Sequence, residues 1–142
     1  MPSAGFRIQE FRIQECNLEI VGDKVESGYR GLMVYQKAYE CVLEIYRETN
    51  AMPKSETFGL TSQIRRASVS VTTNISEGYG KKEYSPSEYK RFLFMSIGSV
   101  NEIMTLADIC TDVGYMPKEF KENIRERYEE IRNMLFGIAN KL

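Results

Sequence analysis

From Leu32 onward the apolar positions of this chain recur at intervals of three and four, the period of a helix with one buried face. Tyr35, Tyr39, Val42 and Tyr46 step in this way, with Ala38 and Ile45 beside them. A first helix should therefore end near Asn50, before "MPK" forces a break. A second carries Leu60, Ile64, Ala67, Val71 and Ile75 on one face and is expected to stop at Gly78 as a left-handed cap. "SPSE" opens a third, with Ser85 as N-cap, Pro86 at the first helical position and Glu88 closing a capping box. Its seam is Tyr89, Leu93, Ser96, Val100, Ile103, Ala107 and Cys110, and "VGYMP" ends it. The fourth seam is Ile124, Tyr128, Ile131, Leu135, Ile138 and Leu142. Four helices joined by short loops pack as antiparallel neighbours, so residues 31–142 predict an all-α, up-down-up-down four-helix bundle. Residues 1–30 lack this period. "FRIQEFRIQE" is a five-residue duplication too short to be a structural repeat, "CNLEIV" has strand character, and "GDK" and "SGYRG" supply turns. They predict an N-terminal arm outside the main core, either frayed or contributing a short strand or hairpin.

Helix three carries a second apolar stripe. At 100° per residue, Met95, Leu106, Ile109 and Val113 cluster away from its core seam with Glu102 among them, and Phe94 adds an exposed ring. A helix apolar on two faces usually buries both, which points to self-association. In helix two, Arg65 is placed at the back, near Val69, Thr72 and Ser76, while Arg66, Thr73 and Glu77 share a shoulder beside the seam. Glu102 is a natural target for either arginine, on a neighbouring helix or subunit. The competing reading is a phosphate-gripping edge: Arg65 with Lys81, Lys82, Lys90 and Arg91. Six Lys/Arg face three acids between 59 and 91, and three acids face no base between 92 and 116. Asn74 reads as a buried polar residue that fixes register. The Ser/Thr load of helix two is read as small residues that let helices approach closely. Gly78 and Gly80 follow a helix instead of feeding one, so they do not make a phosphate loop. The alternating charges of helix four read as a solvated face.

Composition narrows the chemistry. The chain is 42% hydrophobic and 27% charged with a net charge of −1, a globular balance without a global field for nucleic acid. It has no histidine, which excludes Ser-His-Asp and Cys-His catalysis and His-containing zinc sites. Cys16, Cys41 and Cys110 are far apart and read as reduced, mostly buried thiols. No apolar run reaches bilayer length and the start lacks a signal-peptide layout, so the expectation is a cytoplasmic protein without membrane contact. The expectation is also of no catalytic residues, cofactor or metal.

"VYQKAYE", "FGLTSQIRRASVSVTTNISEGYG" and "EYKRFLFMSIGSVNEI" together resemble the four-helix-bundle proteins encoded in intervening sequences of bacterial 23S ribosomal RNA, over residues 31 to about 116. The resemblance implies a small non-enzymatic bundle assembling into a ring, typically a homopentamer, with a link to RNA. That family in turn resembles, at greater distance, accessory proteins of diversity-generating retroelements, bundles that bind nucleic acid and reverse transcriptase. The family usually has Trp where Tyr35 stands and Pro where Thr72 stands, which implies a softer kink in helix two. Arg65, Arg66, Asn74, Glu77, Gly78 and Glu102 carry over as architectural and interface positions. Two functions follow: an oligomeric scaffold or protein-interaction module, or an RNA-binding accessory protein. Its partners would be further copies of itself, and RNA or another protein.

Overall fold

The computed structural model describes residues 20–21, 24–25 and 27–142. Its four α-helices are α1 (Met33–Glu48), α2 (Leu60–Tyr79), α3 (Pro86–Asp112) and α4 (Lys118–Ala139). Each packs against its sequence neighbours and α1 also meets α4, which closes an antiparallel four-helix bundle. In the arm, β1 (Ile20–Val21) pairs antiparallel with β2 (Lys24–Val25), with Ile20 opposite Val25. The duplicated pentapeptide and Cys16 lie outside the described residues.

The core seams of α2 and α3, and that of α4 as far as Leu135, fall where the periodicity put them. Helix α4 ends at Ala139, which is buried, while Ile138 is half-buried and Leu142, past the helix end, is exposed. Ile64, Val71, Ile75, Leu93, Val100, Ile103, Tyr128, Ile131 and Leu135 are all fully buried. In α1 the buried stripe is Val34, Ala38, Cys41 and Ile45, whereas Tyr39 and Tyr46 are 47% and 42% exposed. The expected tyrosine seam is therefore displaced by about one residue. Small Ala38 and Cys41 let the helix approach its neighbours, and the tyrosines line the boundary, where hydroxyls stay wet. Tyr35 packs there between Tyr29 and Tyr39, at ring separations of 5.0 and 6.1 Å.

Two helix ends also differ from expectation. Gly78 is not a cap: α2 continues to Tyr79, and among the described residues only Gly28 and Gly114 have positive φ. What demands glycine at 78 is proximity, because a Cβ there would lie 2.8 Å from Phe92 Cβ and 3.1 Å from Tyr89 Cδ1. At α3, Ser85 Oγ accepts from the Glu88 amide at 3.3 Å and Pro86 occupies the first turn as predicted. The reciprocal half of the capping box is absent, since the Ser85 amide donates to the Lys81 carbonyl and the Glu88 carboxylate turns to Arg91.

By length and composition α3 is apolar enough to cross a membrane, although no unbroken apolar run marks it in the sequence. Its two-sidedness accounts for this: one side fills the bundle core, and the other is the outer stripe.

Candidate interaction surfaces

The two arginines of α2 exchange their expected places. Arg65 is half-buried: its Nε donates to Thr49 Oγ1 at 2.9 Å, and its Nη2 to the Tyr46 carbonyl at 3.2 Å and Asn50 Oδ1 at 3.3 Å. The guanidinium also lies over the Tyr46 ring, 4.7 Å from its centroid. It thus clamps the carboxyl end of α1, where outward carbonyls and the helix dipole favour a cation. One step further round α2, Arg66 is exposed, and so is Glu77, instead of both lying on a half-buried shoulder. Among the described residues the side chains of Arg66, Glu77 and Glu102 find no hydrogen-bond or ion-pair partner.

On α3, Met95, Ile109 and Val113 are 41%, 40% and 55% exposed, with exposed Glu102 in their midst. Leu106 departs from this stripe; it is only 6% exposed and joins the core. Phe94 leans the other way, onto Phe136 of α4 at 6.2 Å. Small polar residues seal the α2–α3 contact, as their size suggested: Ser96 Oγ donates to the Val71 carbonyl at 2.7 Å, and Ser70 and Ser99 hydroxyls meet at 2.8 Å. Buried Asn74 donates to the Ser70 carbonyl and hydroxyl at 2.9 and 3.1 Å, so it holds the residue that sets this register.

The basic edge is split. Lys81 and Lys82 follow the end of α2, while Arg65 sits sixteen residues earlier, roughly 24 Å away along a helix rising 1.5 Å per residue. Lys81 lies over Phe92 at 5.6 Å and Lys82 over Tyr79 at 4.7 Å. Arg91 is engaged by Glu88 through two hydrogen bonds of 3.2 and 3.0 Å, which holds the Glu88 carboxyl below its ordinary range. Tyr84, 75% exposed, projects from the same loop.

One feature escaped the sequence reading. Arg127 of α4 is not part of a solvated face; it is drawn between α4 and α1 into an ion pair with Glu44, which Asn123 also meets at 3.2 Å. Beside this pair, burial pushes the Cys41 thiol up to about 12 and the Tyr128 hydroxyl well above its usual value. Burial and then the neighbouring Glu44 carboxylate raise Glu48. The cluster opens onto a groove of about 530 Å³ between the end of α1 and the start of α4, with Ala51, Met116, Phe120 and Glu119 in its walls. The signal was the position of Arg127 immediately before seam residue Tyr128, but its partner could be found only once α1 was docked. Among the described residues no group of three His, Cys, Asp or Glu side chains could hold a metal ion.

Fold and surface together define a four-helix bundle with exposed apolar and charged side chains on its outer faces. The chain belongs to the 23S rRNA-intervening sequence protein family, whose pattern it matches over residues 30–137. It is similar in fold to a protein of unknown function from the S23 ribosomal protein family of Bacteroides thetaiotaomicron, with a TM-score of 0.65 and 23% identity. That match covers 75% of this chain and 97% of the other. No curated protein matches the chain.

Proposed function

We propose that this protein is a non-catalytic homo-oligomeric scaffold or protein-interaction module that acts in the cytoplasm, built as a ring of bundles with five copies as the expected number. The observation that carries the reading is the outer face of α3. Met95, Ile109 and Val113 leave large apolar groups in water around exposed Glu102, whose side chain, like those of Arg66 and Glu77 on α2, finds no partner among the described residues. A second copy would bury the apolar groups and pair the charges. We assign this face to protein and not to a bilayer because Glu102 sits in the middle of it, and a carboxylate there is costly in hydrocarbon. Light scattering at micromolar concentration should report a species of several subunits. Ile109→Asp or Val113→Asp should dissociate it with the helical circular dichroism intact, since neither residue belongs to the core. A monomeric wild-type protein would sink the reading.

A second reading is favoured by the α2–α3 loop. Lys81 and Lys82 rest on aromatic rings beside exposed Tyr84, with Lys90 nearby, and a loop of this kind suits a polyanion with stackable bases. In this reading the protein is an RNA-binding accessory factor, linked to 23S rRNA intervening sequences or to a reverse transcriptase. Arg65 contributes little to it, being committed to α1.

A further inference from the structure

The most exposed apolar side chain among the described residues is not on α3. Phe58, in the turn between α1 and α2, is 96% exposed. The turn that carries it is braced. Glu56 Oε1 accepts from the Leu60 amide at 3.0 Å, and its Oε2 accepts from the Tyr115 hydroxyl at 3.3 Å. The Gly59 amide donates back to the Glu56 carbonyl at 2.9 Å. A Cβ on Gly59 would fall 2.4 Å from Glu56 Oε1, so glycine is what lets the carboxylate reach back and cap α2. Phe58 is therefore held out in water by a turn with its own hydrogen bonds, a costly placement for an aromatic ring.

The opposite shape occurs at the same end of the bundle. The Tyr115–Glu56 bond ties the α1–α2 turn to the α3–α4 loop, and the groove between α1 and α4 begins at that loop with Met116 and Pro117. Its floor is apolar, from Ala51, Met116 and Phe120, and its rim carries Glu48 and Glu119. The turn around Phe58 carries Lys54, exposed and without an ion pair among the described residues. Ring fits floor, and cation fits rim.

Resting on the self-assembly reading above, we propose that Phe58 inserts into the α1–α4 groove of a second copy of this chain, with Lys54 beside Glu48 or Glu119. Phe58 precedes α2 and the groove lies on the α1–α4 side, so the two halves occupy different sides of one subunit. Such a contact is head-to-tail; each copy offers a ring to one neighbour and a groove to the other, and a rotation that closes makes a ring without free ends. The exposed Ile109 and Val113 lie at the end of α3, the same end of the bundle as the Phe58 turn.

The test uses the full chain in a Cys16→Ser background, with Cys41 and Cys110 already buried. A Thr57→Cys/Ala51→Cys double variant, which keeps Phe58 and places one thiol on the exposed residue beside it, should give a ladder of covalent multimers on denaturing gels when treated with a short bis-maleimide. Each single variant should give nothing beyond a dimer. Phe58→Ala, assayed without cross-linker, should raise the concentration at which the assembly dissociates by about tenfold or more. No ladder, with wild-type protein still multimeric, overturns the groove as the seat of Phe58 and leaves self-assembly standing. Unchanged dissociation of Phe58→Ala likewise overturns the contact alone. A wild-type protein that is monomeric at micromolar concentration overturns both.

Discussion

Arg65 commits its donors to the last turn of α1, whereas the side chain of Arg66, the next residue, is exposed and finds no partner among the described residues. The two should therefore respond differently to truncation. Arg65→Ala removes three charge-assisted hydrogen bonds and a stacking contact, and should cost about 1–2 kcal/mol after allowance for partial exposure. Arg66→Ala should stay within about 0.5 kcal/mol in urea unfolding of the dissociated chain, and any larger effect should appear only in the assembly. This reverses the weighting suggested by sequence, where Arg66 stood on a shoulder beside the seam and Arg65 at the back of the helix. A destabilised monomer of Arg66→Ala would restore that weighting. Glycines offer a second contrast. Gly78→Ala drives a methyl against Phe92 at 2.8 Å and should cost about 1–3 kcal/mol, although alanine is the better helix former. Gly98→Ala, with nothing within 4 Å, should instead gain about 0.5–1 kcal/mol in the dissociated chain. Equal melting shifts for both would mean that α2 and α3 separate freely at Gly78.

Where α1 packs on α4, two raised acids sit in one layer, and their sign fixes a pH window. The folded state holds Cys41 protonated up to about 12, whereas an unfolded thiol ionises near about 8.5. Unfolding above that lower value releases a proton, so the contribution is complete below it and is lost as pH climbs toward the upper one. Tyr128 is shifted in the same direction and adds to the loss at higher pH. The urea midpoint should thus fall progressively above about pH 8.5, and Cys41→Ala should flatten the first part of that fall. A flat alkaline profile in the wild type would show that water reaches Cys41. This contact also marks what could be read before the structure. Stripes in α2, α3 and α4 were legible because one face of each helix is nearly all aliphatic, and the register link through Asn74 followed from a lone amide beside a seam. The seam of α1 was displaced because large tyrosines at helical spacing outweigh small Ala38 and Cys41, although small residues are the ones that touch neighbours. Gly78 resembles a cap until Phe92 is seen against it. The Glu44–Arg127 pair and the groove beside it depend on how two helices eighty residues apart are rotated, which no local period encodes.

Across the whole molecule, charge decides between the two proposed functions. The net charge is −1, and of the expected basic edge Arg65 is held at α1 and Arg91 by Glu88. Lys81, Lys82 and Lys90 remain near exposed Tyr84. Three lysines hold a polyanion weakly at physiological salt, because each phosphate contact contributes mainly by releasing a condensed counterion. A ring repeats the loop once per copy, and repeated weak contacts multiply through effective concentration. Nucleic-acid binding by this protein should therefore require the assembly, fall steeply with salt and show little sequence preference, since phosphates carry no base identity. Titration of a structured RNA at low and physiological salt is the measurement, with Val113→Asp as the dissociated control and Lys81→Glu/Lys82→Glu as the charge-reversed one. Both variants should lose binding, the first by losing repetition and the second by losing charge at the loop. Undiminished binding by the dissociated control would mean that one chain carries a complete site. Equal affinity of the charge-reversed variant would move the site to α4, where Lys118, Lys121 and Arg125 face solvent or pair with exposed acids. No binding at low salt would leave the scaffold reading alone.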